Sequence, residues 1–181
     1  MYPIMLSLTE LTVFVVGADG ASEDRIRALS EHGAGKVVRF TDTAPDAADF
    51  TAHGPRLVFI SGLDDAARAE VHRLAKAHGA LVHAQDYIPL CDFHLPARLR
   101  RGKLLVTVST DGAAAGLSRL LRDHLAAAVF SEEWAARVDE LAVARRDWKA
   151  RGLSMTALFQ AIAQYVADRR WLPGAAAGTS R

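Results

Sequence analysis

Cysteine is almost absent: Cys91 is the only one in 181 residues. An internal disulfide is therefore excluded, which suits a reducing compartment. Charge of one sign is also missing. Lys and Arg number 22 against 21 Asp and Glu, for a formal charge of +1, so no global field draws the chain to nucleic acid. No apolar run approaches the ~20 residues of a membrane span. Residues 1–6 lack the basic start and long apolar segment of a signal peptide. A cytoplasmic protein with no membrane partner is expected. The seven histidines show neither H-x-x-x-H nor cysteine-paired spacing, so no resident metal is expected. What is present is globular: 50% apolar and 24% charged residues, enough for one domain or a domain with a helical appendage.

Short β-branched runs alternate with helical patterns. Leu11–Val16 reads as a buried strand ending at Gly17, and Ser22–His32 as a helix with Ile26 and Leu29 inward. Val37–Phe40 and Leu57–Ile60 read as further strands, with 42–55 between them as a polar, alanine-rich connection that could hold one helical turn. Asp65–His78 is a helix with Val71, Leu74 and Ala75 inward, and Leu81–Ala84 a fourth strand. This is βαβ spacing. It predicts an α/β, Rossmann-like parallel-sheet nucleotide-binding domain over 1–112, with Lys103–Ser109 as a fifth strand. From 113 to 172 the texture is helical. Ala114–Val129 carries Leu117, Leu120, Leu121 and Leu125 on one face. Trp134–Arg151 and Ser154–Trp171 follow, with Trp134, Trp148 and Phe159 recurring at helical spacing. A helical pair cannot bury such faces alone, so packing on the sheet or a homodimer is expected. Residues 173–181 read as a disordered tail.

The turn Gly17-Ala18-Asp19-Gly20-Ala21-Ser22 sits where a dinucleotide pyrophosphate meets a helix N-terminus. The fingerprint's second glycine falls on Asp19, whose carboxylate would oppose the phosphates unless its own hydrogen bonds turn it away. Arg39 or Asp42 could meet a ribose, the arginine favouring a 2′-phosphate and the acid a 2′-hydroxyl; either could equally be a solvated charge. Ser61 and Gly62 keep the loop after the third strand small.

The densest run of special side chains is His83 to Ala97. Asp86, the run Leu90-Cys91-Asp92-Phe93, Pro96-Ala97 and the later Val106-Thr107-Val108-Ser109-Thr110-Asp111-Gly112 resemble the siroheme-synthase family. Its members carry precorrin-2 dehydrogenase activity, some with sirohydrochlorin ferrochelatase activity. The resemblance implies NAD as cofactor, a tetrapyrrole substrate (precorrin-2 or sirohydrochlorin), and Fe²⁺ as a further substrate where chelation is present. It implies that Asp86 is the catalytic carboxylate, that Ser61 and Gly62 lie on the cofactor loop, and that Thr110 and Gly112 approach the ligand. The family usually carries a small residue and a threonine before two acids where this chain has the loop to Asp64-Asp65 without the threonine hydroxyl, and a Gly-x-Ser-Pro turn where Gly112–Leu117 stands. Those departures keep a second reading open: a tetrapyrrole-binding or chelatase-only relative without a working NAD site.

Other side chains weigh in on general grounds. Arg98, Arg100, Arg101 and Lys103, with Arg119 and Arg122, could pair with the peripheral carboxylates of such a macrocycle, because guanidinium forks match carboxylates. A solvated basic face is the plainer alternative. Nucleic acid is not expected, since no aromatic stacking pattern accompanies the cations. Cys91 reads as a small buried hydrophobe. His83 and His94 flank the Asp86 stretch.

Overall fold

The computed structural model describes residues 1–172; the tail expected at 173–181 lies outside the described residues. The chain divides into two compact units, the first ending at Leu95 and the second beginning at Pro96.

In the first unit β1 (Thr12–Val16), α1 (Gly20–Glu31), β2 (Lys36–Phe40), α2 (Ala47–His53), β3 (Leu57–Ile60), α3 (Asp65–Ala77) and β4 (Leu81–Ala84) follow in order. The four strands form one parallel sheet in the order β2-β1-β3-β4. Helices cover both faces, so β3 is buried at all four positions, as the continuous apolar runs require. On one face Phe14, Val16, Val58, Ile60 and Val82 pack against Phe50 of α2 and Val71, Leu74 and Ala75 of α3. On the other, Val13, Val15, Leu57 and Phe59 pack against Leu29 and Ile26 of α1. Phe14 and Phe50 are fully buried with ring centroids 5.1 Å apart. Truncating either to alanine is worth ~3–5 kcal/mol.

The segment 42–55 holds more helix than the polar pattern predicts. Asp46 caps α2 by accepting from the backbone N–H groups of Ala48 and Asp49, while Asp49 accepts in return from the Asp46 N–H. This capping box, with Phe50 driven into the core, sustains seven residues of helix rather than a single turn. From β2 the chain crosses past β1 to reach β3. The carboxyl ends of β1 and β3 are therefore the topological switch point of the sheet, where open α/β sheets hold ligands.

The second unit begins with β5 (Ala97–Arg101) and β6 (Leu104–Val108), paired antiparallel from Ala97↔Val108 to Arg101↔Leu104. The strand expected at 103–109 thus exists, but it does not join the parallel sheet. Gly102, at φ +55°, and Lys103 make a two-residue turn that folds it back on β5, as a tight hairpin loop demands. The first compact unit consequently stops at Leu95, earlier than the boundary at 112 expected for the parallel-sheet domain. After β6 come α4 (Ala115–Ala128), α5 (Trp134–Ala150) and α6 (Met155–Asp168).

The apolar helical faces divide between exposed and covered. On α4, Leu117, Leu120 and Leu121 are exposed and Ser118 is the buried residue. Trp134 is buried, lying 5.4 Å from Phe130, and Trp148 stacks edge-on to Tyr165 at 5.6 Å. The tryptophan faces are therefore covered within the unit itself, while Phe159 stays 64% exposed. No helix among the described residues is long and apolar enough to cross a membrane.

Candidate active site

β1 delivers the chain to Gly17 at φ +134°, a backbone state other residues rarely adopt. A Cβ there would fall 2.1 Å from the carbonyl oxygen of Ser61, so the exits of β1 and β3 touch backbone to backbone. That close approach shapes the turn. Gly20, by contrast, has open space where a Cβ would go.

Asp19 is the N-cap of α1. Its Oδ1 accepts from the Ser22 N–H at 2.9 Å and from the Ser61 hydroxyl at 2.8 Å, and the Ser22 and Ser61 hydroxyls lie 2.7 Å apart. Partial burial pushes the carboxyl up, but the hydrogen bonds from Ser61 and Ser22 outweigh it and hold the group below its ordinary range. A Cβ on Gly62, itself at φ +63°, would meet the Asp19 side chain at 3.1 Å. The carboxylate is thus drawn onto the β3–α3 loop. The N–H groups of Gly20 and Ala21, first in the helix, have no partner inside it. Ala18 and Gly20 are exposed and Ala21 is half-buried.

Arg39 is exposed near the carboxyl end of β2, where its guanidinium pairs with Glu23 from the first turn of α1. Asp42 lies beyond the strand, and its carboxylate accepts from the neighbouring Thr41 hydroxyl at 3.4 Å.

Asp86 follows β4 in a turn closed by the Tyr87 N–H donating to the Ala84 carbonyl at 3.2 Å. Its φ is +62°, a left-handed state that Asp tolerates better than most residues but that still costs energy. The next residue, Tyr87, is braced by α3. The Arg68 guanidinium, almost buried, sits 3.4 Å from the Tyr87 ring centroid. The same guanidinium bonds Asp65 at 2.6 Å and the Leu63 carbonyl at 3.2 Å, and the Tyr87 hydroxyl donates to Asp65 at 3.0 Å. Asp86 lines a cleft of about 200 Å³ together with Ser61, Gly62, Leu63, Arg68 and Tyr87. Ser61 and Gly62 belong to both the cleft and the Asp19 network, so two residues expected on the cofactor loop share one hollow with Asp86. The Arg68–Asp65–Tyr87 brace was not legible as a site feature; an arginine one helical turn inside α3 reads as a surface charge.

Asp92, Cys91 and His83 tie the 83–97 stretch to β4 and to itself. Asp92 binds β4 through both main chain and side chain: its N–H donates to Val82 O and its Oδ2 accepts from Val82 N–H, each at 2.8 Å. Lys76 pairs with it at 2.6 Å. Cys91 is half-buried and donates to Ala84 O at 3.2 Å; burial pushes its thiol up, away from reactivity. His83 Nδ1 lies 3.1 Å from Phe93 O, and burial pushes its pKa down.

In the second unit Arg98 and Arg100 are exposed on one side of β5 while Leu99 is buried on the other. Arg101 is committed to Phe130 O and Glu132, Lys103 to Asp139 and Arg122 to Asp123. Arg98, Arg100 and Arg119 carry no ion pair among the described residues. Thr110 accepts from the Ala114 N–H at 3.0 Å and lies 3.2 Å from the Ser118 hydroxyl, so its oxygen supports the start of α4. Asp111 and Gly112, both left-handed, complete the turn from Thr110 to Ala113.

Residues 4–97 match the family described as "Putative NAD(P)-binding". The chain belongs to that NAD(P)-binding family. The matched span covers all four parallel strands, Asp86 and the segment bound to β4. The chain is also similar to a siroheme synthase of Methylococcus capsulatus, 31% identical over 141 residues, and to one of Pseudoalteromonas atlantica, 29% over 142. Both alignments take in 68% of this chain but only 29% and 30% of the relative; the chain spans less than a third of these longer proteins. Among solved structures, one titled "SirC, precorrin-2 dehydrogenase" matches with a TM-score of 0.73 at 20% identity, covering 96% of this chain and 94% of the other. That likeness establishes the shared fold from the NAD(P)-binding unit through the helical one.

Proposed function

We propose that the protein oxidises precorrin-2 to sirohydrochlorin with NAD⁺. The observation that carries this reading is the shared hollow at the carboxyl edge of the sheet. There the β1 turn, the β3 loop and the carboxylate of Asp86, on a left-handed backbone beside the braced Tyr87, converge within an NAD(P)-binding domain similar to siroheme synthases. The residues present fit a dinucleotide: Gly17 permits the close turn, Gly20 and Ala21 offer N–H groups to a pyrophosphate, and Asp19 is pinned to Ser22 and Ser61. Ala18, Ser61 and Gly62 would border the cofactor, and Arg39 would lie towards its ribose. NAD⁺, when bound, supplies the hydride acceptor.

The chain's own work is positioning and proton transfer. Asp86, exposed in the cleft and fixed by the turn from Ala84 to Tyr87, accepts a proton from the macrocycle as the substrate loses a hydride. Its oxidation state does not change; it holds the proton and returns it to water. Arg98 and Arg100 on β5, with Arg119 on α4, supply guanidinium forks without an ion pair among the described residues for peripheral carboxylates. Thr110 and Gly112 keep the turn before α4 small enough for a macrocycle to approach. Insertion of Fe²⁺ by the same protein would use Asp86 to take up pyrrole protons.

The test is turnover of precorrin-2 with NAD⁺ by purified wild type and by Asp86→Asn. General acid–base groups contribute ~10²–10⁴-fold, so the folded variant should lose rate on that scale while still binding NAD⁺. Undiminished turnover by folded Asp86→Asn protein removes the carboxylate from the chemistry. A chelatase-only reading is favoured by one observation, the carboxylate of Asp19 at the helix N-terminus. Calorimetry showing no NAD⁺ binding by wild type would support that alternative.

A further inference from the structure

In dinucleotide-binding sheets the adenosine ribose is read at the carboxyl end of the second strand, by an acid for a 2′-hydroxyl and by an arginine for a 2′-phosphate. Here that position holds Arg39, 22 residues after Gly17 (39 − 17). By composition this points to a phosphorylated cofactor. The structure changes the sign. Arg39 alternates with Val37 onto the face covered by α1, and its guanidinium is paired with the carboxylate of Glu23 in the first turn of that helix. The two side chains are 41% and 50% exposed, so both reach solvent beside the β1 turn.

We propose that Glu23, held in place by Arg39, selects the unphosphorylated ribose, and so makes this chain prefer NAD⁺ to NADP⁺. The inference rests on the dinucleotide reading above. An ionised carboxylate has about four acceptor sites, and Arg39 occupies one oxygen of Glu23, so the other remains able to accept from ribose hydroxyls. A 2′-phosphate would meet an Arg39–Glu23 pair of zero net charge, with the guanidinium already engaged by the carboxylate. The acid that other dinucleotide sites place on the second strand is here supplied from the helix. Without Glu23, Arg39 presents an unopposed planar fork, the geometry that binds phosphate bidentately.

The experiment is calorimetry of NAD⁺ and NADP⁺ with wild type, Glu23→Gln and the Glu23→Gln/Arg39→Met double variant. Glutamine keeps length and helix propensity, so the fold should be retained, and melting curves verify it. Wild type is expected to bind NAD⁺ the more tightly. Glu23→Gln should move the NADP⁺/NAD⁺ affinity ratio by about tenfold towards NADP⁺, and Arg39→Met should cancel that gain. A shift of fivefold or more in the single variant that disappears in the double supports the assignment; a smaller shift, or one that persists without Arg39, overturns it. A wild-type preference for NADP⁺ also overturns it. If wild type binds neither dinucleotide, the cofactor reading falls together with this one; if it binds NAD⁺ while the ratio ignores Glu23, only the role of Glu23 falls.

Discussion

Replacing Asp19 by asparagine separates two effects of its carboxylate. The amide oxygen of asparagine can keep the bonds from the Ser22 N–H and the Ser61 hydroxyl, now 2.9 and 2.8 Å, and Asn and Asp are comparable N-caps. Only the charge goes. Its favourable interaction with the exposed N-terminus of α1 is worth ~0.3–1 kcal/mol, so stability at neutral pH should fall by about that much. The same charge opposes a pyrophosphate. At about 4 Å in water-like dielectric, each like-charge pair costs ~1 kcal/mol, and a pyrophosphate carries two such charges. Removing ~1–2 kcal/mol of repulsion should tighten NAD⁺ binding ~5–30-fold at low salt, with the gain shrinking as salt is added. The pH dependence has a definite sign. The folded-state pKa of Asp19 is lowered, so its stabilisation is complete above the unfolded carboxylate's pKa and is lost as pH falls through the folded value. The wild-type and Asp19→Asn stability curves should therefore converge in acid. Calorimetry at two salt concentrations and urea unfolding across pH make the measurement. Unchanged NAD⁺ affinity in a folded Asp19→Asn protein would refute the placement of the pyrophosphate at this turn.

Gly17→Ala should lower the unfolding free energy by at least ~3 kcal/mol, read by urea denaturation, because the added methyl would fall 2.1 Å from Ser61 O in a backbone state alanine avoids; near-wild-type stability would mean the two turns separate freely. His83 has a pKa lowered by burial, so the unfolded chain takes the proton first and stability drops as pH falls below the unfolded value of ~6.5. His83→Asn keeps a donor for Phe93 O and should flatten that decline between roughly pH 7 and 5; an unaltered slope would place the acid sensitivity elsewhere. The exposed Leu117, Leu120, Leu121 and Phe159 favour self-association, so the protein should sediment as a homodimer at micromolar concentration; a monomer there would count against it, and Leu120→Glu should dissociate a dimer built on α4.

Local periodicity carried the parallel sheet. Val-, Ile- and Phe-rich runs of four to six residues, each followed by a glycine or polar turn, can be satisfied only by strands buried on both faces, and β3 and β4 begin and end where the pattern does. The position of Asp86 was legible for the same reason, since a residue just past a strand's end has its place set by the strand. The alternation of Arg98, Leu99 and Arg100 was present as well, but a run of cations masks a period of two, and β5 emerged only through its pairing with β6. Other features had no local signal. The distant partner of Asp19, Ser61, lies just past β3, that of Tyr87 on α3, and that of Arg39 on α1. Each is a contact between residues 16 to 42 positions apart. The sequence alone determined which residues stand at the carboxyl edge of the sheet. Tertiary structure decided what charge each presents there, because electrostatic partners are chosen by distance in space, which strand order sets and sequence separation does not.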